Sequence, residues 1–400
     1  MEIDVPRARA ETEGVGHGVH LNAAGSALMP RCVVDAQVRH IHDEAAHGGY
    51  ESCQHARNQI ARTYAALGEL LNCEAGQIAL TDSATTSWQR VVRALPWQPG
   101  DRVLTGEAEY ASNYITFLQL ARHLGVEIAV VPSDSEGQID VDRLASMIDA
   151  RTRLVALTHV PTNGGLVNPA AAVGAVTRAK GVAYLLDACQ SAGQIDLDVQ
   201  KIGCDFLSGT GRKYLRGPRG TGFLYVHPNW LDRLEPASLD MRSARWTAAD
   251  SYTAQAGARK FETFEFNYAG VIGLGTAVDY ALSWGLPAIE TRIGWLASTL
   301  RRRLDRIPGV TVRDLGRDTC GICSFTLDGR SAEAVQAALA ERQIRVTVSE
   351  RASTRLDMDR RDLDAVVRAS VHYYNTEEEL DRTCAAVAEL APAPAAWARC

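Results

Sequence analysis

A chain of 400 residues exceeds what one compact core holds, so two or three domains are expected. Its hydrophobic fraction of 46% and charged fraction of 22% are those of a soluble globular protein. The net charge of −6 excludes a general nucleic-acid binder, and no apolar run approaches the ~18 residues of a membrane span.

Residues 1–20 read as an N-terminal arm. Its start is polar and acidic, without a signal-peptide apolar stretch, so a cytoplasmic protein is expected. A strand is predicted over 77–80, then a polar turn and a helix over 88–95. Strands at 101–105 and 127–131 flank a helix over 113–125. A strand at 154–158, a helix over 170–180 and a strand at 183–187 follow. Short strands at 206–208 and 222–226 complete the series. Strands separated by helices make βαβ units, so 21–285 is expected to be an α/β domain with a mostly parallel sheet covered on both faces. The texture changes near Gly285-Leu286-Pro287. Pro287 suits a helix start, and an Arg-rich amphipathic helix is predicted over 288–307. Strands at 310–313, 322–327, 345–349 and 366–371 accompany a helix over 332–342. The terminal helix over 376–390 opens on the capping-box pattern Thr-Glu-Glu-Glu. Residues 286–400 thus read as a smaller α+β domain, with 391–396 its frayed Ala/Pro-rich end.

Nine scattered cysteines do not form a disulfide framework. Cys320 and Cys323 have CxxC spacing, but CGICSFTL reads as a buried strand. No second CxxC completes a zinc site, so no metal is expected. Only four basic residues are lysines: Lys180, Lys201, Lys213 and Lys260. Chemistry that needs a side-chain amine has those four candidates.

Parallel α/β sheets bind ligands beyond the carboxyl ends of their strands. Four segments fall at such ends. Thr81-Asp82-Ser83-Ala84-Thr85-Thr86 joins a strand to a helix, and is either a phosphate cup or a plain N-cap. Asp187 is either a turn cap or the partner of a cationic ring or metal, with Gln190 close behind. A Gly-rich stretch from Ser208 to Gly222 carries Thr210, Arg212 and Lys213, and its glycines let backbone approach a ligand. Tyr110, beside Glu109, is either a stacking ring or an interfacial tyrosine. Together a lysine for a Schiff base, a carboxylate for a pyridinium nitrogen, a stacking ring and a phosphate cup are what pyridoxal phosphate requires.

In these segments the chain resembles the class V aminotransferase family of fold-type I pyridoxal-phosphate enzymes, which includes the cysteine desulfurases. The resemblance runs from about residue 21 to about 390. It rests on LNAAG, LTDSATTSW, GEAEYASN, HVPTNGGLVNP, LLDACQSAGQ, GTGRKYLRGPRGTG and VRASVHYYNTEEELDR. It implies that Lys213 forms the Schiff base, Asp187 pairs with the pyridine nitrogen and Gln190 lies beside the phenolic oxygen. Tyr110 stands where desulfurases stack a histidine. Ala84 and Thr85 match the phosphate cup, and Thr210 and Arg212 occupy the family's Ser and His positions before the lysine. Thr162 aligns near the cofactor oxygen, with Asn163 as the alternative register. A phosphate ligand from a second subunit falls near Glu265, with Asn267 in its place. Asn22, Ala24 and Arg368 are assigned to the substrate, Arg368 to its α-carboxylate. The resemblance also implies a homodimer acting on a small amino-acid substrate.

Two departures bear on the reaction. Desulfurases carry a nucleophilic Cys shortly before the RAS segment, whereas no Cys occurs here between Cys323 and Cys384. That loop instead holds Arg351 and Arg355, which either meet an anionic substrate tail or form a solvated basic loop. Cys189 replaces the usual small residue after Asp187. The Glu109-Tyr110 pair and the RKxLxGPRG pattern also resemble C–S lyases that cleave cysteine conjugates in ergothioneine and lincosamide biosynthesis. The expected reaction is β-elimination from an S-substituted cysteine, giving a sulfur-containing product, pyruvate and ammonia. The alternatives are an aminotransferase, an epimerase, a decarboxylation-coupled oxidative deaminase, or a non-catalytic scaffold.

Overall fold

The computed structural model describes residues 2–391, so most of the Ala/Pro-rich 391–396 stretch lies outside the described residues. Seven strands form the central sheet: β1 (Ile78–Thr81), β2 (Arg102–Gly106), β3 (Glu127–Val131), β4 (Thr152–Thr158), β5 (Ala183–Asp187), β6 (Phe206–Thr210) and β7 (Gly222–Val226). Their order is β1-β7-β6-β5-β4-β2-β3. Only β7 runs against its neighbours. This is the mostly parallel α/β sheet expected.

The continuous apolar runs follow from cover on both faces. Leu154, Ala156, Leu185, Phe206 and Leu224 face a cluster with Trp88, Val91 and Phe117. The alternate residues Val155, Leu157, Tyr184, Leu186 and Leu207 face Leu67, Val173 and Leu274 on the other side. Each such side chain contributes about 1.5–3 kcal/mol on burial.

Several helices lie outside the predicted pattern. Arg31–His47, Gly49–His55 and Arg57–Leu71 precede the sheet. Tyr268–Trp284 packs against the first and third of them. That helix is buried on almost every side, so it has no amphipathic stripe to betray it. A hairpin, Ala244–Ala248 with Ser251–Ala254, leaves Trp246 and Tyr252 exposed.

Beyond Gly285, Leu286–Leu304 begins with Pro287 in its first turn. A second sheet contains β8 (Val310–Val312), β9 (Ile322–Leu327), β10 (Thr347–Glu350) and β11 (Ala365–Ser370), all antiparallel in the order β8-β9-β11-β10. Glu377–Leu390 closes the described chain, and Thr376 and Glu379 form the capping box reciprocally. Residues near the N-terminus lie with this second unit. Val19–His20 pairs in parallel with Ile344–Arg345, and Leu21 accepts from the Ser370 amide. One hydrophobic cluster runs through both units, from Leu186 to Leu21 and Phe325. Cys320 and Cys323 are buried in it, as a strand reading requires. Among the described residues no helix is long and apolar enough to cross a membrane.

Candidate active site

Strand register gathers the polar residues. In the parallel ladder Thr158 of β4 lies opposite Asp187 of β5, and Asp187 lies opposite Ser208 of β6. A cavity of about 420 Å³ opens at these strand ends. Ala84, Thr85, Tyr110, Thr162, Asp187, Gln190, Thr210, Arg212 and Lys213 all line it, together with Cys189 and Arg219. Residues from five separated segments of sequence thus meet in one place.

One wall is the start of helix Ala84–Ala94. Ser83 caps it by accepting from the Thr86 amide, which leaves the first-turn amides of Ala84 and Thr85 at the cavity. A helix N-terminus with free N–H groups and its positive dipole end suits an anion. Gly222 makes this possible, because a Cβ there would sit 2.5 Å from the Ser83 carbonyl carbon.

The opposite wall is the loop between β6 and β7. The Gly211 amide donates to Thr221 and the Gly217 amide to Gly211, which closes the loop on itself. Arg216 has φ +61°, unusual for a residue with a side chain, and its amide donates to the Lys213 carbonyl at 2.9 Å. The Arg216 guanidinium is buried, donates to Leu28 O at 2.8 Å and Tyr373 Oη at 2.7 Å, and lies over the rings of Tyr373 and Tyr374. Those contacts hold the strained turn, and the turn holds Lys213.

Lys213 is itself buried. Burial lowers the affinity of its amine for a proton, and Arg212 and Arg368 lower it further, against Cys189 and Asp187, which raise it. A neutral amine is the form that attacks a carbonyl or takes a proton. Asp187 accepts from the Asn113 amide at 2.8 Å and from the Cys189 backbone N–H at 2.8 Å. Burial pushes its carboxyl up, and those donors and Lys213 pull it back. Burial likewise raises the Cys189 thiol, which keeps it protonated and poorly nucleophilic.

Arg368, on β11, reaches across from the second unit. Its Nη1 donates to Thr162 O at 2.9 Å and Thr162 Oγ1 at 2.7 Å. Both of these acceptors are neutral, its Nε is buried without a partner, and burial lowers it to about 10. Gln190 Oε1 is also buried and unpartnered, while its Nε2 donates to Ala24 O at 3.2 Å. Asn22 Oδ1 is a third such atom. Buried polar groups without partners are costly, and of these three residues Gln190 lines the cavity, where its Oε1 is open to a ligand's polar atom. Arg212, Arg219 and Arg368 stand at or behind this cavity against Asp82 and Asp187, a set of cations that fits a ligand carrying a phosphate and a carboxylate.

Asn22, Ala24 and Arg368 stand outside the lining, Ala24 and Arg368 bonded to its Gln190 and Thr162, and three more predicted residues lie elsewhere. Asn267 caps helix Tyr268–Trp284 through the Gly270 amide, in a neighbouring cavity of about 150 Å³ that also contains Asp82 and Gly220. Arg351 pairs with Asp359 at 3.1 Å and Asp364 at 2.8 Å, and exposed Arg355 faces Asp359 at 3.9 Å. Nearby carboxylates take these two cations, so neither lines the cavity. Their segment still borders it, because Ser349 Oγ donates to Asn163 and Asn163 to Glu350 O. The sequence reading also missed Asn113. It stands in the first turn of helix Ala111–Leu124, four residues after Glu109, and its nearness to the end of β2 is its available signal.

The class-V aminotransferase family model matches residues 19–383. A probable cysteine desulfurase of Methanothermobacter thermautotrophicus is 30% identical over 379 residues, covering 93% of this chain and 94% of the relative. The apo cysteine desulfurase of Thermococcus onnurineus NA1 superposes with a TM-score of 0.91 at 26% identity, over 98% of each chain. The cystine C–S lyase C-DES, solved with its reaction product cysteine persulfide, gives 0.86 at 27% identity, over 95% of this chain and 99% of that one. A lysine variant of C-DES holds glycine covalently linked to its pyridoxal-phosphate cofactor.

Proposed function

The chain belongs to the class-V aminotransferase family, and from that premise we propose a lyase that breaks the C–S bond of an S-substituted cysteine by β-elimination. The products are a sulfur-containing fragment, pyruvate and ammonia. The cofactor is pyridoxal phosphate, which fits the residues present. Asp187 would face its ring nitrogen, Gln190 its phenolic oxygen, and the Ala84 and Thr85 amides its phosphate. When bound, it supplies an electron sink for charge developed at the substrate Cα.

The observation that carries this reading is a buried amine, Lys213, near a buried guanidinium, Arg368, whose side-chain partners are neutral. Arg368 takes the amino-acid carboxylate and orients the substrate. Lys213, whose proton affinity burial lowers, removes the Cα proton. Departure of the sulfur as thiolate then leaves aminoacrylate, which water converts to pyruvate and ammonia. The fate of the sulfur is read from the bordering segment Arg351–Arg360, where arginines and aspartates stand and no thiol waits to capture it. Cys189 is held protonated. These features favour release of the sulfur fragment over its transfer to the protein.

The protein is taken to act in the cytoplasm as a homodimer. Val34, Val38 and Ile41 form an exposed apolar stripe on helix Arg31–His47, with Tyr50 beside it in sequence, and this face suits a second copy. The test is a screen of S-substituted cysteines with the cofactor-loaded protein. Equimolar pyruvate and ammonia are expected from at least one. Alanine and protein-bound persulfide from free cysteine, without pyruvate from any conjugate, would overturn the lyase reading in favour of a desulfurase.

A further inference from the structure

Behind Asp187 lies a second buried carboxylate, Glu109, satisfied by neutral donors. Its Oε1 accepts from the Tyr110 backbone N–H at 2.9 Å, from Asn113 Nδ2 at 2.9 Å and from the Thr158 hydroxyl. Its Oε2 accepts from Thr105 Oγ1 at 2.7 Å. The Asn113 amide nitrogen has two hydrogens, and its other short contact is Asp187 Oδ2 at 2.8 Å, with Thr158 Oγ1 farther off at 3.5 Å. One amide therefore bridges two carboxylates, a donor to each. The same Glu109 holds the backbone of Tyr110, so it fixes both the cavity carboxylate and the cavity aromatic. No step of the proposed elimination uses it.

We propose that Glu109 is a positioning residue, an ionised carboxylate that locks Asn113 onto Asp187 and places a second negative charge behind the cofactor ring. The inference rests on the pyridoxal-phosphate reading of the site. Two of the four donors, the Tyr110 and Asn113 N–H groups, cannot accept a proton in return, which favours the ionised form. Burial, with the Asp187 charge, pushes its carboxyl above the ordinary range against the Thr158, Asn113 and Thr105 side chains. The ionised form is assigned on geometry, since all four contacts have Glu109 as the acceptor. The titratable groups around it are Asp187 across Asn113, Lys213 beyond Asp187, and the Tyr110 phenol. Glu107 accepts elsewhere, from the Ser133 amide and from Arg360. A fixed negative charge there holds protons on the cofactor, so the bound cofactor keeps its protonated visible form to higher pH.

Glu109→Gln removes the charge and keeps the shape. Its carbonyl replaces Oε1, and its amide donates to Thr105. In the cofactor-loaded protein, the pH midpoint of the visible absorbance band is expected to fall by about one unit. Glu109→Asp, which keeps the charge, is expected to return the midpoint towards wild type. Superimposable titrations of wild type and Glu109→Gln would overturn the inference and leave the cofactor reading intact. A wild-type protein with no visible band after loading would overturn both. If Glu109→Gln does not fold, Asn113→Ala cuts the bridge with Glu109 in place. An unchanged midpoint in that variant would also overturn the inference.

Discussion

The floor of the cavity and its rim hold their charges in opposite ways. On the floor, Asp187 and Glu109 are buried, and neutral donors from β2, β4 and helix Ala111–Leu124 saturate them. On the rim, Arg351, Arg355 and Arg360 pair with carboxylates in partly exposed positions. A buried charge without good partners costs several kcal/mol, while an exposed ion pair contributes about 0–1 kcal/mol. Floor residues are therefore fixed by folding, and rim residues are free to be replaced.

The largest effect expected is at Lys213. Lys213→Ala should abolish the visible band of the loaded protein in an absorbance spectrum. Retention of that band would break the assignment of the floor. Acid is the next probe. His20 and His159 are held at about 4, and His372 is held well below its ordinary 6.5, each chiefly by burial. Unfolded imidazoles take up protons as pH falls below 6.5, and these folded ones do not. Their stabilising contribution is thus full above pH 6.5 and is lost as pH falls towards 4. Denaturant unfolding at a series of pH values should show unfolding coupled to uptake of up to three protons in that window.

Arg216→Ala should destabilise by about 3 kcal/mol in the same unfolding assay, since it strands buried acceptors and releases a strained turn. Arg368→Gln should leave the cofactor band in place. It should lower kcat/KM by about 100-fold, largely through KM, as loss of a charge-assisted carboxylate contact predicts. The smallest effect belongs to the rim. Arg351→Ala with Arg355→Ala should change stability by less than about 1 kcal/mol. A larger loss in kcat/KM for an anionic conjugate than for a neutral one would sharpen the contrast, by giving the rim a role in substrate choice.

What the sequence made legible follows the same division. Strand ends such as Leu185-Leu186-Asp187 were readable, because an apolar run that stops on a charge marks where a buried strand emerges at a polar site. The Ser83 cap and the Thr376 box were readable from local pattern alone. Helix Tyr268–Trp284 escaped because burial on all sides erases periodicity. Helices Arg31–His47 and Arg57–Leu71 bury one face each, so an amphipathic stripe is present in their sequences, but it lies ahead of the first strand and outside the βαβ series that guided the reading. The reversal of β7 is set by tertiary pairing, which no local signal encodes. Asn113 was visible in GEAEYASN, yet its double contact depends on β4 and β5 arriving beside it.

The turn at Arg216 has a kinetic consequence. Lys213 sits on a loop clamped by adjacent strands at both ends and by a buried guanidinium three residues on. Such a backbone does not swing on the microsecond scale of open loops. In the proposed reaction, moving the amine between its two tasks, holding the cofactor and taking the Cα proton, would be left to side-chain rotation, which occurs in picoseconds to nanoseconds where a side chain has room. In that reaction the lysine would then stay near the cavity throughout, and its backbone would not have to move between the two tasks.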